Sequence, residues 1–221
     1  MNLLKTQKLV VKDLGLMAYD EAYALQKDCC QKVLRGGPPI LLLCEHPSVL
    51  TLGRLASLEH ILYPVEQIEA KGIKIIPVDR GGEVTLHSPG QLVAYPLLDL
   101  KEYGKDLKWY LRKLEEVAID FLKEFDILAF GVSGKTGVWV YSEPSQKQPA
   151  KKIVSIGVGV KKWISYHGMA INISTDLKLF ALIRPCGLDV TMTSIEEMKG
   201  QPVNLVMAKT KFVEIFSRHF E

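Results

Sequence analysis

Strand patterns and helix patterns follow one another in this chain without the regular β-α-β alternation that a doubly wound sheet requires, which favours an α+β fold. Runs typical of strands are found at 40–44, 49–54, 74–78, 81–87, 91–98, 137–141, 153–160 and 169–173. Helical spacing of apolar residues is found at 18–34, 105–125 and 204–220. With 221 residues and no long linker, we expect one domain over residues 1–221.

Charge and hydropathy narrow the functional classes. The net charge of +3 is too weak to indicate a nucleic-acid partner, although it suits steering of an acidic protein partner. No run approaches the roughly 18 apolar residues of a membrane span, and Met1–Val11 lacks the apolar segment of a secretory signal. We therefore expect a cytoplasmic protein with reduced thiols that does not bind membranes.

One of the four cysteines differs from the other three in its setting. Cys29 and Cys30 are adjacent on a predicted helix, so their side chains diverge, and no cysteine spacing resembles a metal site. Most cysteines are small buried apolar residues, as Cys44 on a predicted strand would be. Cys186 instead follows a proline, which fixes φ, and precedes a glycine, which frees the backbone. Such a turn can expose a nucleophile, which reacts as the thiolate and needs a cation nearby.

Lys152 is the candidate for that cation. A lysine near a thiol lowers the pKa of the thiol, and a neutral lysine can take a proton from an incoming amine. Both effects are useful in acyl transfer. Lys151 carries the same charge one position earlier, so sequence spacing leaves both candidates open, and either could be an ordinary surface lysine.

Glycine-rich and histidine-containing blocks supply further candidates. Arg80-Gly81-Gly82 is either a plain turn or a backbone surface against which a ligand carbonyl lies. His87 and His167 could orient a substrate or move a proton, or they could be structural. No Gly-rich loop ends in the Lys-Ser/Thr pair of a phosphate cradle, which argues against ATP, so no cofactor is expected.

Six blocks in order resemble the octanoyltransferase family of lipoate biosynthesis, the octanoyl-[acyl-carrier-protein]:protein N-octanoyltransferases. The resemblance runs from about Leu41 to Glu196. Its blocks are Glu45-His46-Pro47 with Thr51-Leu52-Gly53-Arg54, Arg80 to Gln91, Thr136 to Val140, Lys152 to Gly157, His167 to Asn172, and Asp176-Leu177 with Pro185-Cys186-Gly187. It implies a fold like the catalytic domains of biotin protein ligases and lipoate ligases, a mixed β-sheet flanked by helices.

The same resemblance implies roles for individual residues. Cys186 would be the nucleophile that holds the octanoyl group as a thioester, and Lys152 would lower its pKa and help to move protons. The acyl pocket would be lined by Arg80, Gly81, Gly82, Glu83, Val84, Thr85, Leu86, His87, Ser155, Ile156, Gly157, Gly168, Met169 and Ala170.

The donor would be octanoyl-acyl carrier protein. The acceptor would be a lysine on a lipoyl domain of a 2-oxoacid dehydrogenase or on the glycine-cleavage H protein. The basic residues of the 105–125 helix, among them Lys105 and Lys108, are expected to dock the acidic carrier. Three alternatives stay open: an ATP-dependent lipoate or biotin ligase, an octanoyl amidotransferase, and a non-catalytic acyl-binding module.

Two features depart from the family pattern. Ser88 stands where the family usually has glycine, and is expected to narrow the pocket or to add a hydrogen bond. The loop from Ser142 to Lys151 is longer than expected, which keeps Lys151 as a rival to Lys152.

Overall fold

The computed structural model describes residues 7–141, 149–185 and 190–220, with side chains from residue 151 onward in the second range. Cys186, Gly187 and most of the loop predicted at Ser142–Lys151 lie outside the described residues. The strands are β1 (Val10–Leu16), β2 (Ile40–Glu45), β3 (Val49–Leu52), β4 (Lys74–Pro77), β5 (Val84–His87), β6 (Gln91–Leu97), β7 (Ala129–Val132), β8 (Lys135–Tyr141), β9 (Pro149–Lys161), β10 (Ile164–Asn172) and β11 (Thr191–Met192). The helices are α1 (Tyr19–Leu34), α2 (Val65–Glu69), α3 (Leu107–Lys123), α4 (Ile195–Lys199) and α5 (Leu205–Phe220), with 3₁₀ helices at Leu58–His60 and Leu177–Leu182.

A large mixed sheet forms the centre of the molecule. Within the described residues its strand order is β1-β2-β6-β10-β9-β8-β7, and β11 pairs with β9. The β1–β2 and β11–β9 pairs are parallel and the other pairs are antiparallel. Helix α1 packs on one face, and α3 with α5 covers the other. The predicted α+β class is therefore confirmed.

Strand β2 shows why the centre of the sheet is apolar on both faces. Leu41 and Leu43 pack into the core under α3 and α5, whereas Ile40, Leu42 and Cys44 pack into the core under α1. Successive residues of a strand point to opposite faces, so a strand with helices on both sides reads as a continuous apolar run. The run predicted at 40–44 has this cause.

A second, smaller sheet lies beside the large one, with the strand order β4-β3-β5. Leu50, Leu86 and Ile68 of α2 form its core together with the 3₁₀ helix at Leu177–Leu182. The two sheets meet where the backbone N–H of Gly81 donates to the carbonyl of Val158 on β9, at 2.8 Å. The loop before β5 is thereby fixed against the middle of the large sheet.

Helix α3 corrects one prediction. The Asp106 carboxylate accepts a hydrogen bond from the Trp109 N–H and caps the helix, so α3 begins at Leu107 rather than Lys105. Leu107 is 42% exposed because the buried face of the helix begins one turn later, at Tyr110. Among the described residues, every helix is too short or too polar to cross a lipid bilayer.

Candidate active site

A partly open cavity lies where the small sheet meets β9 and β10. Its polar wall comes from β5 and the loop before it, and its other wall from the middle of the β9–β10 pair. The residues predicted for the acyl pocket that line it are Arg80, Gly82, Glu83, Val84, Thr85, His87, Ser155, Ile156, Gly157, Gly168, Met169 and Ala170. Tyr19, Val93, Tyr95 and His167 complete the lining.

Two residues predicted for the pocket lie outside this lining. Leu86 packs with Leu50 and Ile68 in the core of the small sheet, because alternation along β5 turns its side chain away from Thr85 and His87. Gly81 lies behind the wall, where its N–H donates to Val158. Its role is to join the sheets rather than to face the cavity.

Arg80 is a buried cation that holds the polar wall in place. Its Nη2 donates to the carbonyl of Thr51 at 2.7 Å and to Thr51 Oγ1 at 2.9 Å, and Nη1 donates to the Gly81 carbonyl at 3.1 Å. Two glycines make room for it: a Cβ on Gly53 would lie 2.8 Å from Nη1, and one on Gly157 would lie 3.1 Å from Arg80 Cδ. The Gly53 and Gly157 blocks are therefore needed to pack one arginine.

His87 lines the cavity and is oriented by a chain of side chains behind it. Its Nδ1–H donates to Gln91 Oε1 at 2.8 Å, Gln91 Nε2 donates to Asn172 Oδ1 at 2.9 Å, and Asn172 Nδ2 donates to the Thr193 carbonyl at 2.9 Å. Burial lowers the pKa of His87 well below its ordinary value. The imidazole is therefore neutral, with Nε2 as the ring nitrogen that can accept a proton.

His46 supports the floor of the site from beneath. Its Nδ1–H donates to the Met17 carbonyl at 2.7 Å, and its Nε2 accepts from the Tyr95 hydroxyl at 2.8 Å. Burial lowers the pKa of His46, which agrees with this neutral tautomer. The ring of Tyr19 packs on both His46 and His87, with centroid distances of 5.2 and 5.8 Å. Helix α1 is thus anchored to the cavity through its first residue.

Asp79 gathers three hydrogen bonds at one side of the cavity. His167 Nε2–H and the Tyr23 hydroxyl donate to Oδ1, and the Tyr166 hydroxyl donates to Oδ2, each at 2.8 Å. Burial alone would raise the pKa of Asp79, but the hydrogen bonds from His167, Tyr166 and Tyr23 lower it overall. Burial lowers the pKa of His167 despite its carboxylate partner. The cluster fixes a neutral imidazole whose Nδ1 faces the Tyr19 hydroxyl at 3.4 Å.

The segment between β5 and β6 is a turn held from β2. The Gly90 N–H donates to Glu45 Oε2 at 2.8 Å, and Gly90 has a φ of +81°. A Cβ at this position would lie 2.7 Å from Ser174 Oγ, so glycine is required twice over. Ser88 is buried outside the cavity lining, and its Oγ finds no hydrogen-bond partner among the described residues. The expectation that Ser88 narrows the pocket or adds a hydrogen bond is therefore wrong for the described part of the chain.

The two candidate lysines have opposite environments. Lys151 is partly exposed and pairs with Glu197 at 2.9 Å. Lys152 is 1% exposed, its Nζ donates to the carbonyl of Thr136 at 3.1 Å, and it lies 4.9 Å from the centre of the Trp139 ring. Lys152 is outside the cavity lining, three residues before Ser155 on β9. Of the two, Lys152 is the buried ammonium near the cavity.

Strand β11, which follows Cys186 in the sequence, lies beside the two lysines of β9. Strand β11 pairs in parallel with β9, with Thr191 opposite Lys151 and Met192 opposite Lys152. The Thr193 N–H donates to the Lys152 carbonyl at 2.9 Å. Within the part of the chain that the structure describes, no three His, Cys, Asp or Glu side chains group as a metal site would need.

The arrangement can bind an apolar chain and a carbonyl group. Ile156, Met169, Val93 and Ala170 supply apolar surface, while Thr85, His87 and the backbone around Gly82 supply hydrogen-bonding groups. A mostly apolar cavity with a few polar groups at its wall is typical of small-ligand sites.

Comparison with known proteins agrees with this chemistry. The family model described as the lipoyl protein ligase A/B catalytic domain matches residues 18–217. An octanoyltransferase from Syntrophotalea carbinolica is 43% identical over 93% of this chain and 92% of its own length.

Two solved structures share the fold. A bipartite lipoate protein ligase from Thermoplasma acidophilum, solved in a study with its E2 lipoyl domain, has a TM-score of 0.72 at 16% identity, covering 96% of this chain and 83% of the other. The biotin protein ligase from Aquifex aeolicus in complex with biotin and ATP has a TM-score of 0.56 at 15% identity, covering 96% and 70%.

Proposed function

Because the chain belongs to the lipoyl protein ligase A/B catalytic domain family and, like its octanoyltransferase relatives, transfers octanoyl groups in lipoate biosynthesis, we propose that the transfer runs through Cys186. In this proposal the octanoyl donor is octanoyl-acyl carrier protein. The acceptor is a lysine of a lipoyl domain or of the glycine-cleavage H protein, and the compartment is the cytoplasm, where the thiol stays reduced.

The reaction takes two steps. The Cys186 thiolate attacks the donor thioester carbonyl, a new C–S bond forms, and the carrier leaves as its thiolate and takes up a proton. The acceptor amine then attacks the octanoyl-cysteine carbonyl, the amide C–N bond forms, and Cys186 leaves as the thiolate while the amine proton passes to a base. A thioester is converted into an amide, so neither step needs a nucleotide.

Lys152 is the proposed partner of Cys186 in both steps. An ammonium beside the thiol favours the thiolate, and the same nitrogen can exchange the proton of the amine or of the leaving thiol. Its burial against Thr136 and Trp139 supports this role, because a buried lysine is retained only where its charge is used or compensated. The pairing of β11 with β9 at Lys152 supports it further, since β11 follows Cys186 by five residues.

The cavity is the proposed site of the octanoyl chain. Its apolar wall at Ile156, Met169 and Val93 is formed by residues of β6, β9 and β10. Burying a methylene group stabilises binding by about 0.8 kcal/mol, so a seven-carbon tail could contribute about 5 kcal/mol. His87 and Gly82 also line the cavity and are the groups proposed to meet the acyl carbonyl.

We also propose that the acidic carrier binds near the start of α3, although two of the basic residues of this helix form ion pairs with its own glutamates. Arg112 pairs with Glu115, and Lys113 pairs with Glu116 at 3.1 Å. Lys108 on α3 and Lys105 just before it are exposed, and they are the cations proposed to meet an acidic carrier.

Intact-mass spectrometry tests the proposal. Incubation with octanoyl-acyl carrier protein, without ATP or acceptor, should add one octanoyl group to the enzyme, and hydroxylamine should remove it. Cys186→Ser should lose the hydroxylamine-labile adduct and lower the transfer rate by several orders of magnitude. Cys44→Ser is the matched control, because that thiol is fully buried in the core under α1. A labile adduct that survives Cys186→Ser would contradict the proposal.

The same assay separates the alternatives. An ATP-dependent ligase would transfer octanoate only with ATP, and an amidotransferase would accept an octanoylated lipoyl-domain protein as donor instead of the carrier. A non-catalytic acyl-binding module would bind the acyl chain equally well in wild type and Cys186→Ala and would transfer nothing.

A further inference from the structure

We propose that Glu115, on α3, is a positioning residue for Lys152, an inference that rests on the role proposed for Lys152 above. Glu115 is a carboxylate with a side chain only 4% exposed, on the helix that covers the sheet. A buried carboxylate lowers stability unless charged and hydrogen-bonding partners compensate it. The contacts of Glu115 show what it holds.

Both carboxylate oxygens of Glu115 are engaged. Oε1 accepts a hydrogen bond from the Gly137 backbone N–H on β8, at 3.0 Å. Oε2 pairs with the Arg112 guanidinium one helical turn earlier and lies against Gly131 of β7, where a Cβ would come within 3.2 Å. The carboxylate therefore links α3 to the backbone of β8, and both of its oxygens are held by neighbouring groups.

The group that Glu115 holds is the same peptide unit that receives Lys152. The N–H of Gly137 and the C=O of Thr136 belong to one peptide group, which is planar and trans, so the two point in opposite directions. Glu115 Oε1 accepts from the N–H end at 3.0 Å, and Lys152 Nζ donates to the C=O end at 3.1 Å. One rigid plane thus transmits the position of the carboxylate to the ammonium.

Removing Glu115 would free that plane. Gly137 has a φ of +123°, a conformation that only glycine adopts readily, so no side chain limits rotation of the peptide. A bond to the N–H also polarises the C=O at the other end and strengthens it as an acceptor. Without the carboxylate, the Thr136 carbonyl turns away or weakens as an acceptor for the Lys152 ammonium, which also lies against the Trp139 ring.

A double-mutant cycle with a direct observation of Lys152 tests the inference. The variants are Glu115→Ala, Glu115→Gln, Lys152→Ala and the Glu115→Ala/Lys152→Ala pair, with Glu116→Ala as the matched control because that neighbour is exposed and pairs with Lys113 at the helix surface. The readouts are the pH profile of octanoyl-enzyme formation and the NMR signals of the ¹³C-labelled lysine Cε, all below the unfolding temperature of each variant.

We expect Glu115→Ala to slow octanoyl-enzyme formation by about 10-fold to 100-fold and to shift its pH profile. This rate loss is smaller than that expected when the proton-transfer group itself is removed. Glu115→Gln keeps an oxygen acceptor for the Gly137 N–H, so its rate of octanoyl-enzyme formation should stay within about threefold of wild type. In the Lys152→Ala background, Glu115→Ala should lower the rate by less than about a further twofold. The Lys152 signal should move in Glu115→Ala and not in Glu116→Ala.

An unmoved Lys152 signal in Glu115→Ala, or losses that multiply fully in the double variant, would overturn the inference. Failure of the proposed function is a different result: wild type would then form no octanoyl adduct, while the Lys152 signal would still move in Glu115→Ala.

Discussion

At Gly137 there is no room for a side chain beside the candidate lysine. Its φ is +123°, and a Cβ there would lie 2.6 Å from Lys152 Cε and 2.6 Å from the Val154 carbonyl oxygen. Real side chains do not reach such distances, so an alanine would have to displace the lysine or the strand. The Thr136-Gly137 block of the sequence is therefore explained by the path of a neighbouring side chain.

Gly137→Ala compared with Gly134→Ala separates displacement of Lys152 from simple backbone strain. Gly134 also has a positive φ, of +77°, but a Cβ there would meet nothing within 4 Å. Positive φ costs an alanine about 1–2 kcal/mol, so Gly134→Ala should lose about that much stability in urea unfolding, and Gly137→Ala should lose more because its Cβ also collides with Lys152 and the Val154 carbonyl. Only Gly137→Ala should also reduce the transfer rate, by at least about tenfold. Equal transfer rates in the two folded variants would contradict this explanation.

At the scale of elements, strand β9 gives different environments to the two lysines that spacing left open. Alternation along the strand sends Lys151 to Glu197 at the surface and Lys152 into the interior beside Trp139. The sequence shows two adjacent lysines, and only the register of β9 against β8 and β11 tells them apart.

Lys151→Ala should therefore leave the transfer rate within about twofold of wild type and cost under about 1 kcal/mol, as loss of an exposed ion pair does. Lys152→Ala should lower the transfer rate by at least about 100-fold. Steady-state transfer assays on both variants, with unfolding curves as the folding control, make the comparison. A large loss in Lys151→Ala alone would reverse the assignment.

The sequence pattern predicts some helices and strands of this fold and misses others. Long periodic segments such as α3 and α5 were predictable, because their apolar spacing reflects a buried face. Strands β1 and β7 were not predicted, because edge strands are half exposed and mix polar residues and glycine with short apolar runs. Strand β11 has two residues and exists only through its pairing with β9.

Some residues of the candidate site were likewise predictable from the sequence and others were not. The glycine and histidine blocks around Arg80, Ser155 and Gly168 were predictable from the family resemblance, and they converge on one cavity. Tyr19 and Asp79 were not, because each is an ordinary residue until the fold brings it to His167. A lone tyrosine at a helix start carries no local signal, so only tertiary structure could identify it.

On the scale of the whole molecule, three buried neutral histidines link stability to pH. Burial lowers the pKa values of His46, His87 and His167, each opposed in part by a hydrogen bond to a carbonyl, an amide or a carboxylate. In the unfolded chain each takes up a proton near its ordinary pKa of about 6.5. Protonation therefore favours the unfolded state as pH falls below that value.

The free energy of unfolding should fall by up to about 1.4 kcal/mol per pH unit for each of these histidines below about pH 6.5, and level off above it. Urea unfolding between about pH 7.5 and pH 5.5 measures the slope, and His87→Gln should lower it by about one proton's contribution. Asp79 acts in a separate window, because its lowered pKa stabilises the fold above about pH 3.9 and is lost only in stronger acid. Stability that stays flat down to about pH 5.5 would contradict the neutral, buried state of the three rings.

Two glycines of the cavity lining, Gly157 and Gly168, limit the range of chain lengths that the proposed acyl site can be altered to accept. A Cβ on Gly157 would lie 2.9 Å from the Gly81 carbonyl oxygen, and one on Gly168 would lie 2.1 Å from the Ala94 carbonyl oxygen. The wall at these two glycines can neither grow nor recede without parting the strands. Engineering the proposed acyl site for shorter or longer fatty chains thus leaves Ile156, Met169 and Val93 as the adjustable positions, where a side chain can change length while the backbone stays where it is.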